Sequence, residues 1–140
     1  MGRIVCATRG GEGSKRVQDG AIALAQERGD DLVFLFVVDT SFLNQMAAPL
    51  VVDVGALMEQ MGRFQLVRAQ ERAAAQGIET YAVVRRGRLR LELVAVAHEL
   101  DATTILLGRP LGSTAIFEED TLQAFAAGLE AETGIEVRIL

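Results

Sequence analysis

Two glycine-bearing turns, each preceded by a short apolar run, are the places in this chain where chemistry could gather. The run IVCA leads into CATRGGEGS, residues 6–14, and TTILLG leads into GRPLGST, residues 108–114. When two such strand ends lie side by side in an open parallel sheet and send their helices to opposite faces, they leave a crevice. Small ligands bind there, on helix N-termini and free backbone amides. The first turn is not a Walker loop, because GGEGSK lacks the Gly-Lys-Ser/Thr ending, and it lacks the G-x-G-x-x-G spacing of dinucleotide sites. It reads as a flexible connection with Ser14 as a helix N-cap.

The remaining reactive residue types are sparse. Arg85, Arg86, Arg88 and Arg90 form the only basic cluster. Arg88 and Arg90 fall near a predicted helix start, where cations are mildly disfavoured. An acidic partner or an anion would suit them, and a solvated turn is the simpler reading. His98 is the sole histidine, late in a predicted helix, where the dipole favours a cation. It has no nameable partners for a triad. The single cysteine, Cys6, reads as a small buried residue with no adjacent Lys or His to activate it. It offers neither an intrachain disulfide nor a metal cluster. Asp53, Glu59 and the other carboxylates lack the spacing of metal ligands. No catalytic residue and no metal site are nominated, and the expected protein is not an enzyme.

Periodicity supplies the elements that must position the two turns. Ile4 to Thr8 reads as a buried strand. From Ser14 onward Val17, Ala21 and Leu24 recur at helical spacing, and Gly29 stops that helix. Residues 32–39, LVFLFVVD, are almost wholly apolar, as a strand covered on both faces should be. Residues 40–56 are irregular, with Pro49 and Gly55, yet they carry Phe42, Leu43 and Met46. With Met58 and Met61 these read as core filling. A helix is predicted over Ala56 to Gln76, buried through Leu57, Met61, Phe64 and Val67, with Gly77 after it. A third strand is expected at 78–84. A helix from Leu89 to Leu100 turns Leu93, Ala97 and Leu100 inward. TTILLG is a fourth strand, and Asp120 to Ala131 a fourth helix buried through Leu122, Phe125, Ala126 and Leu129. IEVRIL closes the chain as a strand, with Ile135, Val137 and Ile139 on one face and Glu136 and Arg138 on the other.

Strand and helix in alternation imply an α/β fold, a doubly wound parallel sheet with right-handed crossovers. A half-exposed last strand is an open edge, which invites pairing with a second copy, so a homodimer through the C-terminal strand is expected. The 140 residues form one domain, 1–140, able to bury roughly 70% of its unfolded surface. A net charge of −5 argues against a nucleic-acid partner, whose binding is driven by cationic neutralisation of phosphates. No apolar run approaches the ~20 residues that span a bilayer, so no membrane partner is expected. The N-terminal apolar stretch is too short for a signal peptide, which points to the cytoplasm.

The whole chain resembles a universal stress protein domain. The resemblance is carried by IVCATRGGEGSKRVQDGAIALAQERGDDLVFLFVVD and RGRLRLELVAVAHELDATTILLGRP. Members read apolar-A-x-D-G-S, then a helix rich in small residues, then a strand ending in Val, with a Gly-rich loop after the fourth strand. The resemblance implies a five-stranded sheet of order 3-2-1-4-5 with its crevice between strands one and four. It also implies a stress-response or regulatory role through an unidentified protein partner.

The ATP-binding branch of that family has a loop of Gly, two residues, Gly, nine residues, Gly, then Ser or Thr. Gly108 fits the first position and Gly112 follows one residue late. The third glycine falls on Thr121, or on Asp120 with Thr121 in the hydroxyl position, and is missing either way. Arg9 replaces the Asp that usually follows the first strand. The resemblance implies that Val38 flanks an adenine and that Ala7 and Thr8 line the base pocket. Arg9, Gly10, Gly108, Arg109, Gly112, Ser113 and Thr121 would surround the phosphates.

Glu118, Glu119 and Asp120 suit a helix start but repel a triphosphate. Arg9 can grip a phosphate bidentately, or pair with those acids across the crevice and fill the site. The sequence therefore implies a degenerate nucleotide site with no required cofactor. Binding of ATP is the alternative.

Overall fold

Continuous apolar sequence along Arg3–Thr8 (β1) and Asp31–Val38 (β2) forces both strands into the interior, because each strand presents a row of side chains to either face. In the computed structural model, which describes residues 2–8, 12–39, 54–108 and 115–140, that requirement is met by a sheet covered on both sides. The other elements are Glu12–Arg28 (α1), Val54–Ala75 (α2), Thr80–Arg86 (β3), Leu89–Glu99 (α3), Thr104–Leu107 (β4), Ala115–Thr133 (α4) and Glu136–Ile139 (β5). All five strands are parallel and their order is β3-β2-β1-β4-β5. Among the described residues, no helix is long and apolar enough to cross a membrane.

The alternation along β1 and β2 divides the core in two. Ile4, Cys6, Leu32, Phe34, Phe36 and Val38 pack with Val17 and Ala21 of α1 and Leu66, Ala69 and Ala73 of α2. Val5, Ala7, Val33 and Leu35 face the other way, onto Leu93 and Val96 of α3 and Leu122 and Leu129 of α4. The inward stripes expected for α3 and α4 are found. So is the alternation at the C-terminal strand, where Val137 and Ile139 of β5, and Ile135 just before it, pack on the α3/α4 side. Gly29 ends α1 at φ 68°, a left-handed conformation that costs a side-chain-bearing residue.

Several boundaries differ from expectation. Helix α1 starts at Glu12, so Ser14 lies in its first turn and does not cap it. Strand β3 runs two residues later than expected, because it aligns with β2 from Leu32↔Thr80 to Val38↔Arg86. Helix α4 starts at Ala115, five residues before the expected Asp120, since nothing between them breaks a helix. Glu118, Glu119 and Asp120 are thus its fourth to sixth residues, where the dipole effect has already fallen off.

The largest correction concerns α2. Its periodic residues Leu57, Met61, Phe64 and Val67 are 51%, 55%, 64% and 50% exposed. Its buried face is Gly55, Gly62, Leu66, Ala69 and Ala73. At 3.6 residues per turn Phe64 stands about 160° from Leu66, so the apolar stripe points away from the sheet. The inner face is small because the helix lies close to β2. A Cβ added at Gly62 would sit 2.3 Å from Cδ1 of Phe36.

Side-chain hydrogen bonds fasten the N-terminal ends of the strands. The Arg3 guanidinium donates to the Leu100 carbonyl at 2.7 Å and to Asp31 at 3.4 Å. The Arg3 backbone amide donates to Thr103 Oγ1 at 2.9 Å. Arg28 reaches from α1 to Thr104 Oγ1 at 3.1 Å and Glu136 at 3.2 Å, tying β4 and β5 together.

Candidate functional site

The strand order reverses direction between β1 and β4, which places the two glycine turns at adjacent C-terminal strand ends. The pairing there opens. The β1–β4 register runs Ile4↔Thr104, Val5↔Ile105, Cys6↔Leu106 and stops, two residues before β1 ends. On its other side β1 stays paired with β2 as far as Thr8↔Phe36. The divergence creates the crevice expected at such a switch point.

Five of the ten sequence-nominated site residues are described. Ala7 and Thr8 end β1, both buried, and Gly108 follows β4, partly buried. The Thr8 hydroxyl donates to the Leu35 carbonyl at 2.7 Å, so its proton is already engaged. Val38 is buried in the core on the α1/α2 side, and its carbonyl accepts from the Gly87 amide at 3.0 Å. Thr121 is exposed and is the seventh residue of α4, so it does not adjoin the amides at the start of that helix. Ala7, Thr8 and Gly108 are brought to the crevice; Thr121 stands apart along the helix. Arg9, Gly10, Arg109, Gly112 and Ser113 lie outside the described residues, as do Phe42, Leu43, Met46 and Asp53. The side chains of Glu118, Glu119 and Asp120 lie outside them too.

Asp39 is a residue that periodicity did not single out. Its Oδ2 accepts from the Leu89 backbone amide at 3.0 Å and so caps α3 from across the sheet edge. The N-cap residue of α3 is Arg88, which makes no side-chain cap bond. A helix start with no Ser, Thr, Asp or Asn at the cap needs an acceptor from elsewhere, and that was the available signal. The carboxylate also neutralises the positive end of α3.

Three of the four arginines of the basic cluster are paired within the protein. Arg85 pairs with Glu99 on α3, Arg86 with Glu59 on α2 at 3.4 Å, and Arg90 with Glu132 on α4 at 2.9 Å. Arg88 is exposed, and His98 is exposed in the last turn of α3. Cys6 is fully buried, and burial pushes its thiol up to about 12, which leaves it protonated and inert. The Cys6 thiol and the Thr8 hydroxyl both face main-chain carbonyls, those of Val17 and Leu35. Neither is activated by a base.

A doubly wound parallel sheet that splays between β1 and β4 at two glycine turns defines a small class of nucleotide-fold proteins. Within it, a family profile described as the universal stress protein family matches residues 1–114, and the chain belongs to that family. No curated protein sequence matches it closely enough to count as a relative. Among solved structures, a universal stress protein family member from Burkholderia pseudomallei superposes with a TM-score of 0.74 at 21% identity, covering 99% of this chain and 95% of that one. A universal stress protein in complex with cAMP superposes at 0.63 with 18% identity, covering 99% of this chain and 96% of that one. The universal stress protein from Archaeoglobus fulgidus in complex with dAMP gives 0.62 at 17% identity, with 99% and 96% covered.

Proposed function

We propose that this chain is a cytoplasmic, non-catalytic regulatory domain of the stress-response type whose nucleotide site is weakened, acting as a homodimer on a protein partner. One observation carries the reading: the side-chain oxygens described at the crevice end, those of Thr8 and Asp39, are already engaged within the protein. The Thr8 hydroxyl serves Leu35, the Val38 carbonyl serves Gly87, and Asp39 serves α3. Among the described residues, a ligand would have to displace these bonds or rely on backbone. The replacement of Asp by Arg9 and the lost third glycine support the same reading. For the dimer, the support is β5, an edge strand with a half-buried apolar row.

A working adenine-nucleotide sensor is the second reading. It is favoured by the early end of the β1–β4 register and by the cAMP and dAMP held in two structurally similar proteins. Thermal denaturation with millimolar Mg·ATP, AMP or Mg²⁺ alone separates the two, because a ligand that binds only the folded state raises the melting temperature. No shift is expected with any of them. A rise with nucleotide that is absent with Mg²⁺ alone would replace the first reading by the second. Light scattering tests the dimer: Ile139→Asp should give a monomer, and a dimer that survives it does not use β5.

A further inference from the structure

We infer that Leu140 is a strap: it fastens α1 to the end of β4 and so holds the crevice end of the sheet closed, and its release opens a local path to Cys6. Beyond Cys6↔Leu106 no ladder joins β1 to β4 among the described residues. Leu140 works across that gap. Its backbone amide donates to the Leu107 carbonyl at 2.8 Å, one residue before Gly108. Its side chain lies against α1 at Gly20, where an added Cβ would sit 2.8 Å from Cδ1 of Leu140. One residue thus joins the helix that follows β1 to the strand that precedes the second glycine turn.

The sequence at the end of the sheet singles this side chain out. Glu136, Arg138 and Leu140 alternate with the inward row of Val137 and Ile139, and of these three only Leu140 is apolar. It packs on the cluster that contains Cys6, Leu106, Val17 and Ala21. Elsewhere α1 is held by polar reaches. Arg28, at its C-terminal end, holds Thr104 and Glu136, and Asp19 accepts from Arg72 of α2 at 3.1 Å. An α1 hinged at Arg28 swings away from β4 when the Gly20 contact is lost. The Cys6 thiol faces the Val17 carbonyl at 3.9 Å, about one turn before Gly20, so that swing uncovers it. The device needs neither a nucleotide nor a second copy. Because Leu140 directly follows the edge strand, whatever seats on that edge acts on the crevice through one side chain.

Labelling of Cys6 by Ellman's reagent in the full chain tests the strap, because this single cysteine is fully buried. Leu140→Ala should label about tenfold faster than the parent without denaturant, at a rate that low urea barely changes, because a local opening exposes little surface. Gly20→Ala should behave alike, since its methyl displaces Cδ1 of Leu140. Alanine also strengthens the helix, so faster labelling there does not come from a weakened α1. Val137→Ala is the control. It trims β5 on the opposite face and should speed labelling only through global unfolding, with a steep dependence on urea. Labelling of Leu140→Ala no faster than the parent, or faster only in step with urea, overturns the proposal. So does equal, urea-insensitive labelling of Val137→Ala. Gly20→Ala keeps Leu140 and decides the matter if Leu140→Ala does not fold; a rate equal to the parent's overturns the strap.

Discussion

The two ends of the strands are built on different plans. At the N-terminal end, Arg3 and Arg28 span several elements each and hold Leu100, Asp31, Thr104 and Glu136. At the C-terminal end, β1 and β4 part after Cys6↔Leu106. The described bonds there are single reaches, among them those from Thr8 to Leu35, from Leu89 to Asp39, from Gly87 to Val38 and from Arg86 to Glu59. The contrast teaches a division of labour within one sheet. Register is secured at one end, which leaves the main chain at the other end free to diverge.

Five changes would break or sharpen that contrast. Phe34→Ala sits mid-strand, fully buried against α1 and α2, and should cost about 3–5 kcal/mol by urea denaturation. It sets the scale against which either end is judged. Gly62→Val drives a side chain into Phe36, near the diverging end, and should cost about 1–3 kcal/mol. A negligible cost would show that this end yields more than the close approach of α2 implies.

Cys6 probes the boundary itself, because the β1–β4 register stops at its pair with Leu106. Burial raises its thiol from 9.0 to about 12, so the folded state keeps a proton that the unfolded state releases. The resulting stability is complete below pH 9 and is lost as pH rises from 9 towards 12. By pH 10 the native protein should lose on the order of 1 kcal/mol more, relative to pH 8, than Cys6→Ala does. Equal losses would mean that the crevice end opens far enough to wet the thiol without unfolding.

Two buried threonines at opposite ends give the last comparison. Thr104→Val removes an acceptor from Arg28 and a donor to Glu136, and should cost about 1.5 kcal/mol. Thr8→Val removes one bond to Leu35 and should cost about 1 kcal/mol or less. The reverse order would contradict the proposed division of labour.

Much of this architecture was legible because it rests on local pattern. Two-faced apolar strands, the inward stripes of α3 and α4 and the stop at Gly29 each follow from a few neighbouring residues. Helix α2 was misread for a physical reason. Periodicity weighs Leu, Met, Phe and Val heavily, whereas close approach to a sheet selects Gly62, Ala69 and Ala73, which carry little hydrophobic signal. The Asp39 cap and the pairs of Arg85, Arg86 and Arg90 join elements distant in sequence, and no local pattern announces them. At the site, Ala7, Thr8 and Gly108 were legible as strand ends beside the turns. Thr121 was placed by counting along a loop whose helix begins earlier than its charges suggested.

The two-sided character of α2 also bears on how the chain folds. A nascent α2 offers the sheet two apolar faces, and the outer one buries more hydrocarbon in a first, unspecific collapse. Docked that way, Phe64 and Met61 would hold the helix too far out for Phe36 to seat against Gly62. The native landing therefore depends on shape and is not decided by greasiness, which is a local form of frustration. Phe64→Gln, by removing the competing face, should therefore refold faster than the parent in a stopped-flow experiment.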